Sequence, residues 1–252
     1  MRFILFTFLI SLSLSLSLAA QEQDSLTFSS GTRKVQLLEL FSSQGCSSCP
    51  PAERWINRLK NDPALWKEVV PVVFHVDYWD RLGWKDPFAD PAFTRRQYRY
   101  NEEGRTGRVY TPGFVVDGRE WRGWFSGEKR PARRESAPEL QGSWNGEILR
   151  ARFDRPASGK LTLNVAILGL DLETEVTRGE NRNRTLQQHF VVLRFLQSES
   201  ATGRWDIKPD WTNLPKKADL AMALWVTEYG DLTPLQATGF ALPEPAERSA
   251  VP

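Results

Sequence analysis

Val35-Gln-Leu-Leu-Glu-Leu-Phe-Ser-Ser-Gln-Gly-Cys46-Ser-Ser-Cys49-Pro-Pro-Ala52 is the stretch on which the fold reading turns. Residues 35–41 are apolar apart from Gln36 and Glu39, which reads as a buried strand. Residues 42–45 are small or polar and read as a turn. From Pro50 onward, Ala52, Trp55, Ile56 and Leu59 recur at helical spacing, and the helix is expected to stop near Asn61-Asp62, ahead of Pro63. Val69-Val-Pro-Val-Val-Phe-His-Val76 then reads as a second strand ending at Asp77. Strand, helix, strand is a βαβ unit, which predicts a parallel pair with Cys46 and Cys49 at the turn into the helix.

That position gives the cysteines a chemical use. The first turn of a helix has unpaired N–H groups and carries the positive end of the helix dipole. Both favour a thiolate and lower a cysteine pKa. The spacing lets one thiol close on the other, with Cys46 as the exposed attacking thiol and Cys49 as resolving thiol. Pro50 and Pro51 suit a first turn, where a missing N–H costs little. The chain has only 2 cysteines. A bridge closing so short a loop removes little chain entropy, so redox chemistry or metal binding explains the pair better than stapling.

Residues 1–20 read as a secretory signal peptide: Arg2, an apolar and Ser/Leu-alternating run from Phe3 to Leu18, and small residues at Ala19 and Ala20. This predicts a periplasmic or secreted protein. No later segment is apolar for long enough to span a bilayer, so no membrane association is expected after cleavage. The formal net charge is +2, too small to suggest a nucleic-acid partner, and the cluster Arg130, Arg133 and Arg134 reads as a solvated face.

Residues 21–32 read as a flexible lead. Residues 91–103 read as a helix with Arg95, Arg96 and Arg99 on its outside. Phe114 to Val116 reads as a strand, Asp117-Gly118 as a hairpin turn, and Glu120 to Trp124 as the returning strand. A linker or exposed helix is expected at about residues 126–142. Beyond it, residues 161–168, 189–196 and 221–227 read as strands of a small antiparallel β domain over 143–243, followed by a frayed tail.

Other residues join the candidate site by position. An X-Pro bond such as Thr111-Pro112, just ahead of a strand, is a candidate for the cis form. His75 and Asp77 end a strand of the βαβ unit, where α/β sheets place their ligand crevices. Tyr78, Trp79 and Trp84 are an aromatic cluster that either shapes a peptide groove or packs a long loop. His189 reads as structural, and Arg178-Gly-Glu-Asn181 as a polar turn at an interface.

Phe41 to Ala52, His75-Val-Asp-Tyr-Trp-Asp80, Leu82-Gly-Trp-Lys-Asp86 and Tyr110-Thr-Pro112 resemble the motifs of a family of exported bacterial thioredoxin-like proteins of undetermined function. Arg178-Gly-Glu-Asn181 with Thr185-Leu186 resembles a motif of that family's C-terminal half. The resemblance spans residues 34–240. It implies an α/β fold: a thioredoxin-like domain over 33–130 followed by the small antiparallel β domain. It also implies a redox-active pair, and no cofactor is expected. By analogy with thioredoxins, Pro112 would face the disulfide, and Thr111 would offer a backbone edge to a bound polypeptide beside Tyr78 and Trp79. Glu39 would be the buried general base for the resolving thiol. The function expected is thiol–disulfide exchange on protein or peptide thiols and disulfides. Two alternatives stand beside it. One is copper binding or delivery through Cys46 and Cys49 with His75. The other is a non-catalytic interaction protein with a structural disulfide. The sequence does not decide the oligomeric state.

Overall fold

The computed structural model describes residues 25–131, 135–155, 159–215 and 218–243. The leader at 1–20, Arg133, Arg134 and the tail beyond 243 lie outside the described residues. In chain order the elements are β1 (Leu26–Ser29), β2 (Gln36–Ser42), α1 (Pro50–Asn57), β3 (Val69–His75), α2 (Pro91–Glu102), β4 (Gly113–Val116), β5 (Arg119–Glu120), β6 (Leu140–Trp144), β7 (Leu149–Phe153), β8 (Leu161–Leu170), β9 (Leu172–Val176), β10 (Arg184–Gln188), β11 (Val191–Ser200), β12 (Arg204–Ile207), β13 (Asp219–Glu228) and β14 (Pro234–Ala241).

The βαβ unit is present. β2 and β3 run parallel, pairing Gln36 with Val69 through to Ser42 with His75, and α1 lies between them in the chain. β4 adds antiparallel to β2, and β5 returns on β4 across Asp117 and Gly118. Both of those residues have positive φ, 47° and 83°, as the tight hairpin turn requires. The returning strand is shorter than the sequence suggests: only Arg119 and Glu120 pair, and a 3₁₀ turn occupies Gly123–Ser126.

The expected fold class is corrected by what lies on the other side of β3. The chain is mostly β, with 42% strand and 15% helix. One sheet of eight strands, in the order β14-β13-β8-β11-β3-β2-β4-β5, runs through both halves. β11 joins parallel to β3 at Val191 and Val73, and the Val73 N–H donates to the Phe190 carbonyl at 2.8 Å. A thioredoxin-like α/β domain followed by a small separate β domain is therefore not what the chain builds. β8 is buried along its whole length, and β13 from Leu220 to Thr227. Their side chains alternate between two cores. Leu163, Val165, Ile167, Leu220, Met222 and Leu224 pack under a second sheet of order β1-β6-β7-β12. Ala166, Leu168, Ala221, Ala223 and Trp225 face the other way and share one core with Phe41, Phe74 and Tyr100. An apolar run reads the same from sequence whether its second face meets a neighbouring strand layer or another half of the chain.

Two further expectations change for the same reason. The lead read as flexible carries β1, paired antiparallel with β6 from Leu26–Trp144 to Ser29–Gln141. Arg96, expected outside, is buried. Phe93, Arg96, Gln97 and Tyr100 form the inward stripe of α2. Its guanidinium sits between the rings of Phe74, Tyr100, Phe195 and Trp225 at 5.4–5.6 Å.

Candidate functional site

Cys46 and Cys49 lie at disulfide distance, with Cα atoms 5.5 Å apart. β2 ends at Ser42, the chain turns through Ser43 to Ser48, and Cys49 is the N-cap residue of α1. The turn is held locally: the Cys46 N–H donates to the Ser43 carbonyl at 3.2 Å and the Cys49 N–H to the Cys46 carbonyl at 3.2 Å. Pro50 and Pro51 occupy the first helical positions, where no N–H is needed. The pair thus sits at the positive end of an eight-residue helix. Cys46 was expected to be the exposed thiol. Both cysteines are instead 0% exposed, while Ser47 and Ser48 between them face solvent.

Several of the anticipated site residues converge here. The Thr111–Pro112 peptide is cis. β4 pairs Gly113 with Phe41, so Pro112 stands beside the end of β2, one residue before the Cys46 turn begins. The Trp79 indole N–H donates to Thr111 Oγ1 at 2.8 Å. Trp79 also packs on the turn itself: a Cβ on Gly45 would lie 3.0 Å from the Trp79 Cβ. Tyr78 donates to Gln97 Oε1 at 3.2 Å, and burial pushes its phenol up to about 12. Gln97 in turn donates to the Tyr110 carbonyl at 2.6 Å, fixing the loop that presents Thr111.

Glu39 is placed elsewhere. It lies three residues before Ser42 on β2, and odd spacing along a strand sends the two side chains to opposite faces. Ser42 Oγ bonds Glu53 on α1. Glu39 faces α2, where Arg96 Nε donates to Oε1 at 2.8 Å and the Tyr100 hydroxyl donates to Oε2.

The carboxylates on the α1 side are Glu53 and Asp86, and they were not anticipated. Together with His75, Ser42, Gln44 and Gln188 they form a buried polar cluster beneath the Cys46 turn. His75 Nδ1 is 2.7 Å from Asp86 Oδ2, and the Gln44 N–H donates to the same oxygen at 2.7 Å. Gln188 donates from Nε2 to Glu53 Oε2 at 2.9 Å and accepts from Gln44 Nε2 at 2.8 Å. His75 Nε2 lies 3.8 Å from Glu53 Oε1. The same nitrogen lies 3.4 Å from Gln188 Nε2. Among the described residues no group of three or more His, Cys, Asp or Glu side chains is arranged to hold a metal ion. The sequence did carry a signal for Glu53, which falls on the same helical stripe as Ala52 and Ile56. Asp86 entered only as the end of the Leu82–Asp86 motif, and Gln188 had no signal.

Burial works against the charge of His75, but the Asp86 carboxylate and then Glu53 outweigh it and raise the imidazole above its ordinary 6.5. Burial raises Glu53 above its ordinary 4.5, with His75 opposing. Burial alone would raise Asp86, yet the His75 partnership lowers it. Glu53 and His75 thus hold protons more tightly in the folded chain than in the unfolded one. Their contribution to stability is complete below the ordinary values and is lost as pH rises through the raised ones. Asp86 works oppositely, its contribution being lost as pH falls through its lowered value. Stability is expected to fall from mildly acidic to alkaline pH. Replacing His75 by Asn should flatten that slope, as checked by urea midpoints between about pH 5 and 9.

A hairpin from the C-terminal half roofs the turn. β9 and β10 pair only with each other, and their tip carries Arg178-Gly-Glu-Asn181. The buried Asn181 amide donates to the carbonyls of Gln44 at 2.8 Å and Cys46 at 2.9 Å. The Ser47 N–H donates to Glu180 Oε2 at 3.0 Å. The interface read for this turn from sequence is thus with the cysteine turn itself. His189 closes the base of the hairpin, its Nδ1 accepting from the Asp171 N–H at 2.9 Å.

Fold and site together define a mostly β protein with mixed sheets that presents a Cys-x-x-Cys pair at the head of its first helix. The chain belongs to the family described as protein of unknown function (DUF1223), whose pattern matches residues 37–227. Two solved structures are similar in fold. One is a protein of Agrobacterium tumefaciens, 24% identical, with a TM-score of 0.57 over 83% of this chain and 94% of that one. The other is HBP35 of Porphyromonas gingivalis, 15% identical, with a TM-score of 0.53 over 84% of this chain and 76% of that one. At these identities the likeness shows the fold alone. No curated protein matches the chain.

Proposed function

We propose that the protein is an exported thiol–disulfide oxidoreductase that exchanges with protein or peptide thiols and disulfides through Cys46 and Cys49. The observation that carries this reading is the position of the pair at the first turn of α1. There the positive end of the helix dipole stabilises the thiolate that exchange must release. When the protein oxidises a partner, a partner thiolate attacks Cys46 Sγ, forming a mixed disulfide and releasing Cys49 as a thiolate. A second partner thiol then attacks the mixed disulfide, leaving the partner oxidised and both cysteines reduced. Reduction of a partner disulfide is the reverse. Export rests on the composition of residues 1–20. Among the described residues no helix is long and apolar enough to cross a membrane.

Glutathione titration of the mature protein, followed by thiol alkylation, tests the proposal. A reversible two-electron transition between roughly −120 and −270 mV is expected. A pair that stays oxidised below about −300 mV would mean a structural disulfide. The full burial of both sulfurs favours that second reading, an interaction protein with a stiffened turn.

A further inference from the structure

The buried pair and the proposed exchange conflict unless something moves. A thiolate must approach along the S–S axis, which needs open space at one sulfur, and a pair with no exposed surface offers none. The residues bonded to the backbone of the cysteine turn point to the moving part. The β9–β10 hairpin belongs to neither large sheet, so its tip can lift without breaking a ladder of either. The tip holds the cysteine turn through Asn181 on the Gln44 and Cys46 carbonyls and Glu180 on the Ser47 N–H, while Thr174 and Gln188 in the strands of the hairpin hold the Gln44 side chain. Arg184 Nη1 braces this from behind, donating to Asn181 Oδ1 at 3.0 Å. Gly179 lets the tip lie close: its φ is +73° and a Cβ there would sit 3.0 Å from the Trp84 Cβ.

We propose that the β9–β10 hairpin is a gate over Cys46 and Cys49, latched by Asn181 and Glu180, so that a partner thiol reaches the sulfurs only when the tip lifts. The proposal rests on the exchange reading. Asn181 and Glu180 are positioning residues in it. They set how often the site opens, not the relative stability of its oxidised and reduced forms.

The test is the rate of reduction of the mature protein by dithiothreitol, followed by tryptophan fluorescence, alongside the glutathione midpoint. Asn181→Ala removes both carbonyl contacts and should speed reduction about tenfold. Glu180→Ala should speed it about threefold. Both should leave the glutathione midpoint unchanged, which a general loosening of the fold would not do. If Asn181→Ala does not fold, the surface variant Glu180→Ala combined with Arg184→Ala decides, with the same acceleration expected. Unchanged rates in folded variants whose pair still titrates would overturn the gate and leave the exchange reading standing. A wild-type pair that never equilibrates with glutathione would overturn the exchange reading itself.

Discussion

Arg96→Met is expected to destabilise the folded chain by about 3–5 kcal/mol, the cost of removing one partner from a buried ion pair. The substitution keeps much of the side chain's length and its packing among Phe74, Tyr100, Phe195 and Trp225. It removes the two donors facing Glu39 Oε1, leaving a fully buried carboxylate with only the Tyr100 hydroxyl. Pairing it with Glu39→Leu removes the stranded charge and should recover much of the loss, since an apolar replacement of both partners is often nearly neutral. Urea denaturation of the two single variants and the double variant measures the coupling. Additive losses would show that the pair does not act as a unit. A stable Glu39→Gln variant with unaltered exchange kinetics would further show that Glu39 serves the fold rather than the chemistry.

The largest expected effect on activity is at the cysteines. Cys46→Ser should abolish exchange with a protein disulfide and capture no partner, because the attacking sulfur is gone. Cys49→Ser should keep the first step and lose the second, so that a mixed disulfide with Cys46 accumulates. Non-reducing electrophoresis and mass spectrometry read the difference. The asymmetry is the informative outcome: a structural disulfide predicts the same modest stability loss from either change, at most about 2 kcal/mol for so short a loop. Capture through Cys49 in the Cys46→Ser variant would reverse the assigned roles. The gate predicts that Glu180→Ala in the Cys49→Ser background accelerates the capture.

Much of the candidate site was legible because its signals are local. The βαβ order follows from two apolar runs around a helical stripe, and the cysteine spacing reads as chemistry without any tertiary knowledge. The Asp117-Gly118 turn is likewise decided within a few residues. Arg96 was misplaced because inward and outward charges look alike in sequence when the partner, here Glu39, lies 57 residues away. The buried cluster was hidden for a similar reason: Glu53, His75, Asp86 and Gln188 come from four separate segments, and only Glu53 carried a periodic hint.

The sequence by itself determined the cysteine turn, the helix it opens and the parallel pair around it, since strand alternation, helical period and turn chemistry are properties of neighbouring residues. Tertiary structure alone decided that β11 would dock on β3. That contact merges the two halves into one sheet and brings the β9–β10 hairpin down over the cysteines. Apolar strands specify that their faces must be covered, because hydrophobic burial is non-directional, but not which part of the chain will cover them.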